Sequence, residues 1–412
     1  MKNASPEATR ARAVLLALAY LAFVSLGLPD TVLGVAWPSL RETFTLPQAV
    51  LGAPLALAAT TYFLSGLLAG RLIRLWGVGL LLTLSTALVT LGIAGQASSP
   101  AFVLFVVATC LIGFGSGAID TGLNTYAAKN FGARHMTWLH AAYSVGAALG
   151  PAIMTALLAR GAGWRTGYAV IGAALGLLAV AFTATRRHWG DGQTEPTKVD
   201  APGEPGTQAL DEATRASSGW AVLRHPRVGL QVAVFFVYSG TEIAAGQWSY
   251  TVLTESRGVE ATTAGVWVSL YWASLLAGRI VLGFVVERVG TVRLLRFGTA
   301  GAVVGALLFA APGLPSAVGA VGLALLGFAL APIYPGLMSE TPRRVGAHIA
   351  PHAVGFQVSA ATLGVAVIPN VAGLLGERFG LVAIAPLVAG CAVLLAVLHE
   401  TLVATADRPA SP

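Results

Sequence analysis

Leu111 to Leu123 reads LIGFGSGAIDTGL, and Leu325 to Leu337 reads LLGFALAPIYPGL. The two stretches lie 214 positions apart and share six of thirteen residues. A match of that quality at that distance marks an internal duplication. At its centre the first copy carries Asp120 and the second Tyr334, and the acid kept in one copy alone is where chemistry is expected.

The surrounding composition says what was duplicated. Hydrophobic residues make up 56% of 412 positions and charged residues 10%, with a mean hydropathy of +0.75, which no water-soluble core of this size requires. Apolar runs of roughly 20 residues, each long enough to cross a ~30 Å hydrocarbon layer as a helix, recur between short polar breaks. Twelve spans are predicted: 14–37, 48–70, 77–96, 101–127, 137–159, 165–184, 228–253, 262–286, 293–312, 314–338, 349–375 and 380–403. Runs of this length exclude a transmembrane barrel. Thr185 to Pro226, rich in Pro, Gly, Thr and charge, reads as a linker between two six-helix bundles, residues 1–184 and 227–412. The first apolar run is too long for a signal peptide and continues into Asp30 and Trp37 without a cleavage site, so it is expected to be retained.

With both termini and the linker on one side, 20 of the 25 basic residues fall there and five on the other, counting Arg279 at the linker-side end of span 8. The positive-inside bias makes that side cytoplasmic and predicts a multi-pass protein of the inner, cytoplasmic membrane. The net charge of +7 then reflects topology, and no nucleic-acid module is present. Cys110 and Cys391 lie inside apolar spans, without metal-ligand spacing or a disulfide pattern. No nucleophile–base set, metal cluster or phosphate loop suggests an enzyme, and no cofactor is expected.

The duplication can be followed along the chain. Asp30 and Gly34 in span 1 pair with Glu242 and Gly246 in span 7 at an offset of 212, and Gly146 and Pro151 in span 5 pair with Gly364 and Pro369 in span 11 at 218. The identical pentapeptide LLAGR at Leu67–Arg71 and Leu275–Arg279 has an offset of 208, which breaks the trend. A register of 213 pairs Gly70, Arg74 and Gly77 with Gly283, Glu287 and Gly290 instead. Gly-x-x-x-(acid or base)-x-x-Gly resembles the loop signature of the major facilitator superfamily. The second copy, with Glu287 and Arg288, is the better match, and the first departs by having Arg74 in the acid's place. A gating role for Arg74, Glu287 and Arg288 follows from that resemblance.

Ionisable residues within spans cost at least ~2.5 to 3.5 kcal/mol on insertion scales and are functional candidates by default. Gly113, Gly117, Asp120 and Asn124 step by four, three and four residues, one helix stripe on which the glycines permit close approach. The alternative is a packing stripe whose acid is satisfied by a neighbouring helix. Asp30 shares a stripe with Gly27, Gly34 and Trp37 just after Pro29, and either contacts substrate or holds span 1 to its neighbours. Glu242 follows Tyr238 by one turn and precedes Gln247, Trp248 and Tyr250, with pairing and ligand binding both open. His140 and Tyr143 lie on one stripe of span 5, where His140 is either an interfacial residue or a proton relay. Tyr271, Tyr334, Gln357 and Asn370 complete a candidate cavity, although each residue type also occurs in cores and interface belts.

These residues resemble the major facilitator superfamily along the whole chain, and in particular its fucose:proton symporter branch with the related sodium-glucose and bypass-of-stop-codon-type proteins. The resemblance is carried by Asp30 in span 1, by Asp120 and Asn124 in span 4, by His140-Ala-Ala-Tyr143-Ser-Val-Gly146 in span 5, and by Tyr238, Gly240 and Glu242 opening span 7. It implies a substrate-binding role for Asp30 and a protonation role for Asp120. This chain departs from the fucose symporter in carrying Asp rather than Glu in span 4, and His140 and Tyr143 where that protein has Gln and Asn. Sugar as a class is therefore implied rather than fucose.

The expected function is proton-coupled symport of a small polar solute by alternating access, with sodium as the alternative coupling ion. Asp120 would carry the proton, with Asp30 as a second proton-coupling acid, and protonation of Asp120 would remove a charge that resists occlusion. Asp30, Asn124, Gln247, Gln357 and Asn370 would meet hydroxyls, and Trp248, Tyr271 or Tyr334 would stack on an apolar face. Proton-coupled efflux of amphipathic compounds is the rival within transport, and a non-transporting membrane sensor the rival outside it. The expected partners are a small molecule and the lipid bilayer, and the expected state is a monomer.

Overall fold

A computed structural model describes residues 6–131, 133–189, 222–223, 225–346 and 349–406. Most of the 185–226 linker lies outside the described residues. What is described is almost wholly helical. Eleven helical segments among the described residues are long and apolar enough to cross a membrane. One of them, Gln48–Ser98, is 51 residues long, far more than one crossing needs. Its helix Gly52–Ser98 breaks at Gly77, whose φ of 74° is non-helical, so it holds spans 2 and 3 and the predicted twelve crossings are present. Span 10 is the opposite case, two helices, Ser316–Leu330 and Ile333–Val345, joined at Ala331 and Pro332.

The remaining spans follow the prediction to within about four residues, except span 1, predicted as 14–37, whose helix runs eight residues further at its start and seven at its end. Span 1 is the helix Pro6–Phe44, span 4 Phe102–Asn130, span 5 Ala133–Ala159, span 6 Gly163–Thr185, span 7 Pro226–Thr251, span 8 Ala261–Val289, span 9 Thr291–Ala310, span 11 Ala350–Phe379 and span 12 Ile384–Ala406. Span 7 is prolonged by a π-turn, Val252–Ser256. Chains alternate in direction, so the end where span 1 begins and span 12 ends is called the near end, and the opposite one the far end.

Pseudo-symmetry between the two six-helix halves is visible in how glycines are used. A Cβ on Gly146 would collide with the carbonyl of Val24, and one on Gly364 with the carbonyl of Phe236. Those pairs relate spans 5 and 1 in the first half as spans 11 and 7 in the second, at the offsets 218 and 212 read from the sequence. Each span pair is therefore packed backbone to backbone through a small residue. Gly77 and Gly290 have φ of 74° and 84° and are 213 positions apart, so the chain turns at the same point in each half. That register leaves the two LLAGR copies inequivalent. Arg71 is exposed, whereas Arg279 is half-buried within span 8.

The halves meet most firmly at the far end. Arg41 at the end of span 1 pairs with Glu255 at the end of span 7 at 3.0 Å. Gln48 donates from its amide side chain to Glu255 at 2.8 Å and from its backbone N–H to Glu377 of span 11 at 2.7 Å. Asn370 donates to the carbonyl of Gly52 at 3.1 Å. At mid-depth Gln247 of span 7 donates to the carbonyl of Asp30 at 2.7 Å, a closeness that Gly34 permits, since its Cβ would strike the Gln247 backbone. Toward the near end, Leu67, Leu68, Arg71 and Arg74 of span 2 and Phe284, Glu287 and Arg288 of span 8 are exposed. Among the described residues, the polar contacts between the halves lie at the far end and at mid-depth, where Arg279 of span 8 also donates to Ser144 of span 5.

Candidate functional site

Asp30 lies about halfway along its span and is solvent-exposed, although helices surround it. This is the mark of a water-accessible space between the halves. His140 is exposed as well, and Asp120, Asn124, Tyr143 and Tyr334 are partly so. These side chains come from spans 1, 4, 5 and 10, and the stripes read from the sequence explain how they converge. Gly113 and Gly117 allow span 4 to touch Ala58, Thr61 and Tyr62 of span 2, which presses Asp120 inward.

Each acid is held by neutral donors. Tyr62 donates to Asp120 Oδ2 at 2.8 Å and Asn124 donates to its Oδ1 at 3.0 Å. Tyr143 donates to Asp30 Oδ2 at 3.0 Å, and Tyr238 donates to Glu242 Oε2. None of the ion pairs among the described residues contains Asp30, Asp120 or Glu242. Asn124 Oδ1 is buried and has no partner, which leaves an unused acceptor beside Asp120.

Glu242, 9% exposed, forms a second layer behind Tyr238. Tyr271 is fully buried and donates to the Glu242 carbonyl at 2.8 Å. Gln247, also fully buried, reaches Asp30 through the backbone rather than lining the cavity. Tyr334 stacks edge-on to Phe235 at 5.1 Å and lies 6.1 Å from Tyr238.

Three further residues selected for binding lie away from this space. Gln357 is buried in a network with Gln231 and Thr341. Asn370 caps the far-end seal and bonds its own helix at Ala366. Trp248 is buried and donates to the Pro369 carbonyl at 2.9 Å. Residue type and depth along a span placed them correctly, but not the face on which they lie. Arg74, Glu287 and Arg288 are exposed at the near end, and no ion pair among the described residues includes them. The polar contacts that join the halves at the far end are those of Arg41, Gln48, Glu255 and Glu377.

Two residues at the site carry no sequence signature. Tyr62 is a lone phenol in an apolar run. Arg279 was counted at an end of span 8, yet it bonds Ser144 of span 5 at 2.7 Å and acts electrostatically on Glu242, His140 and Tyr143. Its depth, 18 residues into a 29-residue helix, was the available signal. Without it the topological count becomes nineteen against five, and the bias keeps its sign.

Two six-helix halves around a central polar site are the architecture of a membrane transporter. The chain belongs to the Major Facilitator Superfamily, whose model matches residues 19–369 and again 230–411. It is 26% identical over 278 residues to Bypass of stop codon protein 6 of Saccharomyces cerevisiae, an alignment covering 65% of this chain and 56% of the yeast protein. Among solved structures, the bacterial homologue of the human lysosomal transporter Spinster, inward-facing and unoccupied, superposes with a TM-score of 0.74 at 14% identity, covering 99% of this chain and all of that one. FucP in its outward conformation has 18% identity but a TM-score of 0.60, with 95% of this chain and 99% of FucP covered. FucP is the fucose:proton symporter of E. coli.

Proposed function

We propose that the chain is a proton-coupled symporter for a sugar, with Asp120 as the proton site and Asp30 as a hydroxyl-binding group. The observation that carries this reading is Asp120 itself, an acid at the edge of the central space with two neutral donors and an unused acceptor one helical turn away. Ionised, it accepts from Tyr62 and the Asn124 amide. Protonated, it becomes a donor, and a flip of the Asn124 amide presents Oδ1 to receive that proton. Asp120 thus has a partner in either protonation state without a helix moving. FucP, a fucose:proton symporter of the same fold, supports proton coupling and a sugar.

Placing the near end in the cytoplasm, as the basic residues favour, makes this conformation inward-open. A substrate held between Asp30, Tyr143 and Tyr334 would draw residues 1–184 and 227–412 together at the near end. The far-end contacts of Arg41, Gln48, Glu255 and Glu377 would then part. Proton binding on Asp120 removes a charge before the cavity closes over it, which couples the two fluxes. The driving force is adequate, because one charge crossing 100 mV yields ~2.3 kcal/mol and each ~1.4 kcal/mol supports a tenfold gradient.

The test is uptake of a labelled sugar into proteoliposomes under an imposed pH gradient. Wild type should accumulate it, and Asp120→Asn should exchange it without accumulation. Accumulation undiminished in Asp120→Asn would remove Asp120 from the proton path.

A further inference from the structure

Arg279 is a charge beside the central space that the proton and sugar roles leave unused. An arginine within a span is costly, and such residues normally pair with an acid. This one does not. No ion pair among the described residues includes it, and its hydrogen bond is to the hydroxyl of Ser144 at 2.7 Å. The side chain is half-buried, and none of its nitrogens is among the buried atoms without a partner. The remaining N–H donors of its planar fork therefore face water-accessible space.

The surrounding acids are already supplied. Tyr143 serves Asp30, Tyr62 and Asn124 serve Asp120, and Tyr238 serves Glu242. What the site lacks is an acceptor for Arg279. The duplication sharpens the point. At the register of 213, Arg279 corresponds to Gly66 of span 2, and at 214, Asp120 corresponds to Tyr334. One half brings an acid in its fourth span and the other a base in its second. Asp30 and Asp120 thus face the cavity from the first half, while the second half brings Arg279 and keeps its own acid, Glu242, buried behind Tyr238.

We infer that the transported solute carries an acidic group, and that Arg279 binds it. This rests on the sugar reading and narrows it to sugar acids, molecules with hydroxyls for Asp30 at one end and a carboxylate for Arg279 at the other. Arginine suits this because its fork meets a carboxylate through two parallel hydrogen bonds. The competing view makes Arg279 an internal counter-charge to Glu242, whose carboxylate it influences from a distance.

Binding to the full chain in lipid nanodiscs separates the two. Calorimetry would compare glucuronate with glucose and gluconate with sorbitol, adding lactate and inorganic phosphate as acids that are not sugars. The expected result is that each sugar acid binds at least about tenfold more tightly than its neutral partner. Arg279→Gln should abolish that ratio and Arg279→Lys should keep part of it. Equal binding of acid and neutral sugar by the wild type would overturn the inference while leaving the sugar reading standing. So would an Arg279→Gln protein that weakens both members of a pair alike, the mark of a counter-charge. If Arg279→Gln fails to fold, Arg279→Lys must still narrow the ratio, and an unchanged ratio rejects the inference. Arg279-dependent binding of lactate or phosphate without any sugar would keep the inference and discard the sugar. Binding of none of the compounds would reject both.

Discussion

Removing Glu255 should open the far end. Its carboxylate takes two hydrogen bonds from the opposite half, from Arg41 at 3.0 Å and from Gln48 at 2.8 Å. Bonds to a charged group contribute about 1.5–3 kcal/mol when buried, and exposed ion pairs about 0–1 kcal/mol. The side chains of Arg41 and Glu255 are 31% and 27% exposed, so a value near the lower figures applies, about 1 kcal/mol for each bond. Glu255→Ala should therefore shift the equilibrium toward the far-open state by about 2 kcal/mol, roughly 30-fold. Adding Glu377→Gln weakens the bond from the Gln48 backbone and should extend the shift. Spin labels at Glu42 and Val382, exposed positions near the far end of each half, would report the distance between halves, with Cys110 and Cys391 replaced by serine. The long-distance population should grow stepwise from wild type to single to double variant. An unchanged distance distribution in the double variant would show that the far-end polar contacts do not hold this state, and the estimate would be refuted.

Other outcomes follow from single contacts. Gly146→Leu and Gly364→Leu place bulk against the carbonyls of Val24 and Phe236. Each should destabilise the fold by about 1–3 kcal/mol or more, seen as a lower melting temperature, and equal melting to wild type would contradict the packing. Tyr143→Phe removes the hydrogen bond to Asp30 and should weaken substrate binding about tenfold by calorimetry, whereas Gln357→Leu, away from the cavity, should leave affinity unchanged. Glu260 caps span 8 by accepting from the backbone N–H groups of Thr262 and Thr263 at 2.7 and 2.8 Å, bonds that hold its carboxyl down to about 2. Because the folded value lies below the ordinary one, the cap's contribution is complete above the usual carboxylate range and is lost only as pH falls toward 2. Glu260→Gln should therefore change transport to the same degree at pH 5.5 and pH 7.5, and a pH-dependent effect would count against the cap.

Much of the architecture was legible because lipid imposes rules that composition records. Twelve apolar runs, a duplicated span and a skewed distribution of basic residues left little freedom in the fold. Gly77 fixed the junction of spans 2 and 3, and its partner Gly290 fixed that of spans 8 and 9. The first half of the site was legible for a similar reason, since Gly113, Gly117, Asp120 and Asn124 fall on one stripe. Tyr62 and Arg279 were not, because a single polar residue in an apolar run has no periodicity to mark its face. Gln357, Asn370 and Trp248 show the converse. Their depth was readable, but which neighbour each helix turns them toward depends on packing across spans 7, 10 and 11 and the start of span 2 at Gly52. The far-end contacts of Arg41, Gln48, Glu255 and Glu377 were not legible, because they join separate helix ends and follow no motif.

Proton movement driven by substrate tests the account most directly. Proteoliposomes holding a trapped pH dye, with no imposed gradient, would receive an inward gradient of a transported sugar or sugar acid. Wild type should acidify the lumen as solute enters, and Asp120→Asn should admit solute with no change in dye signal. Acidification of equal size in both proteins would contradict the assignment of Asp120 as the coupling acid.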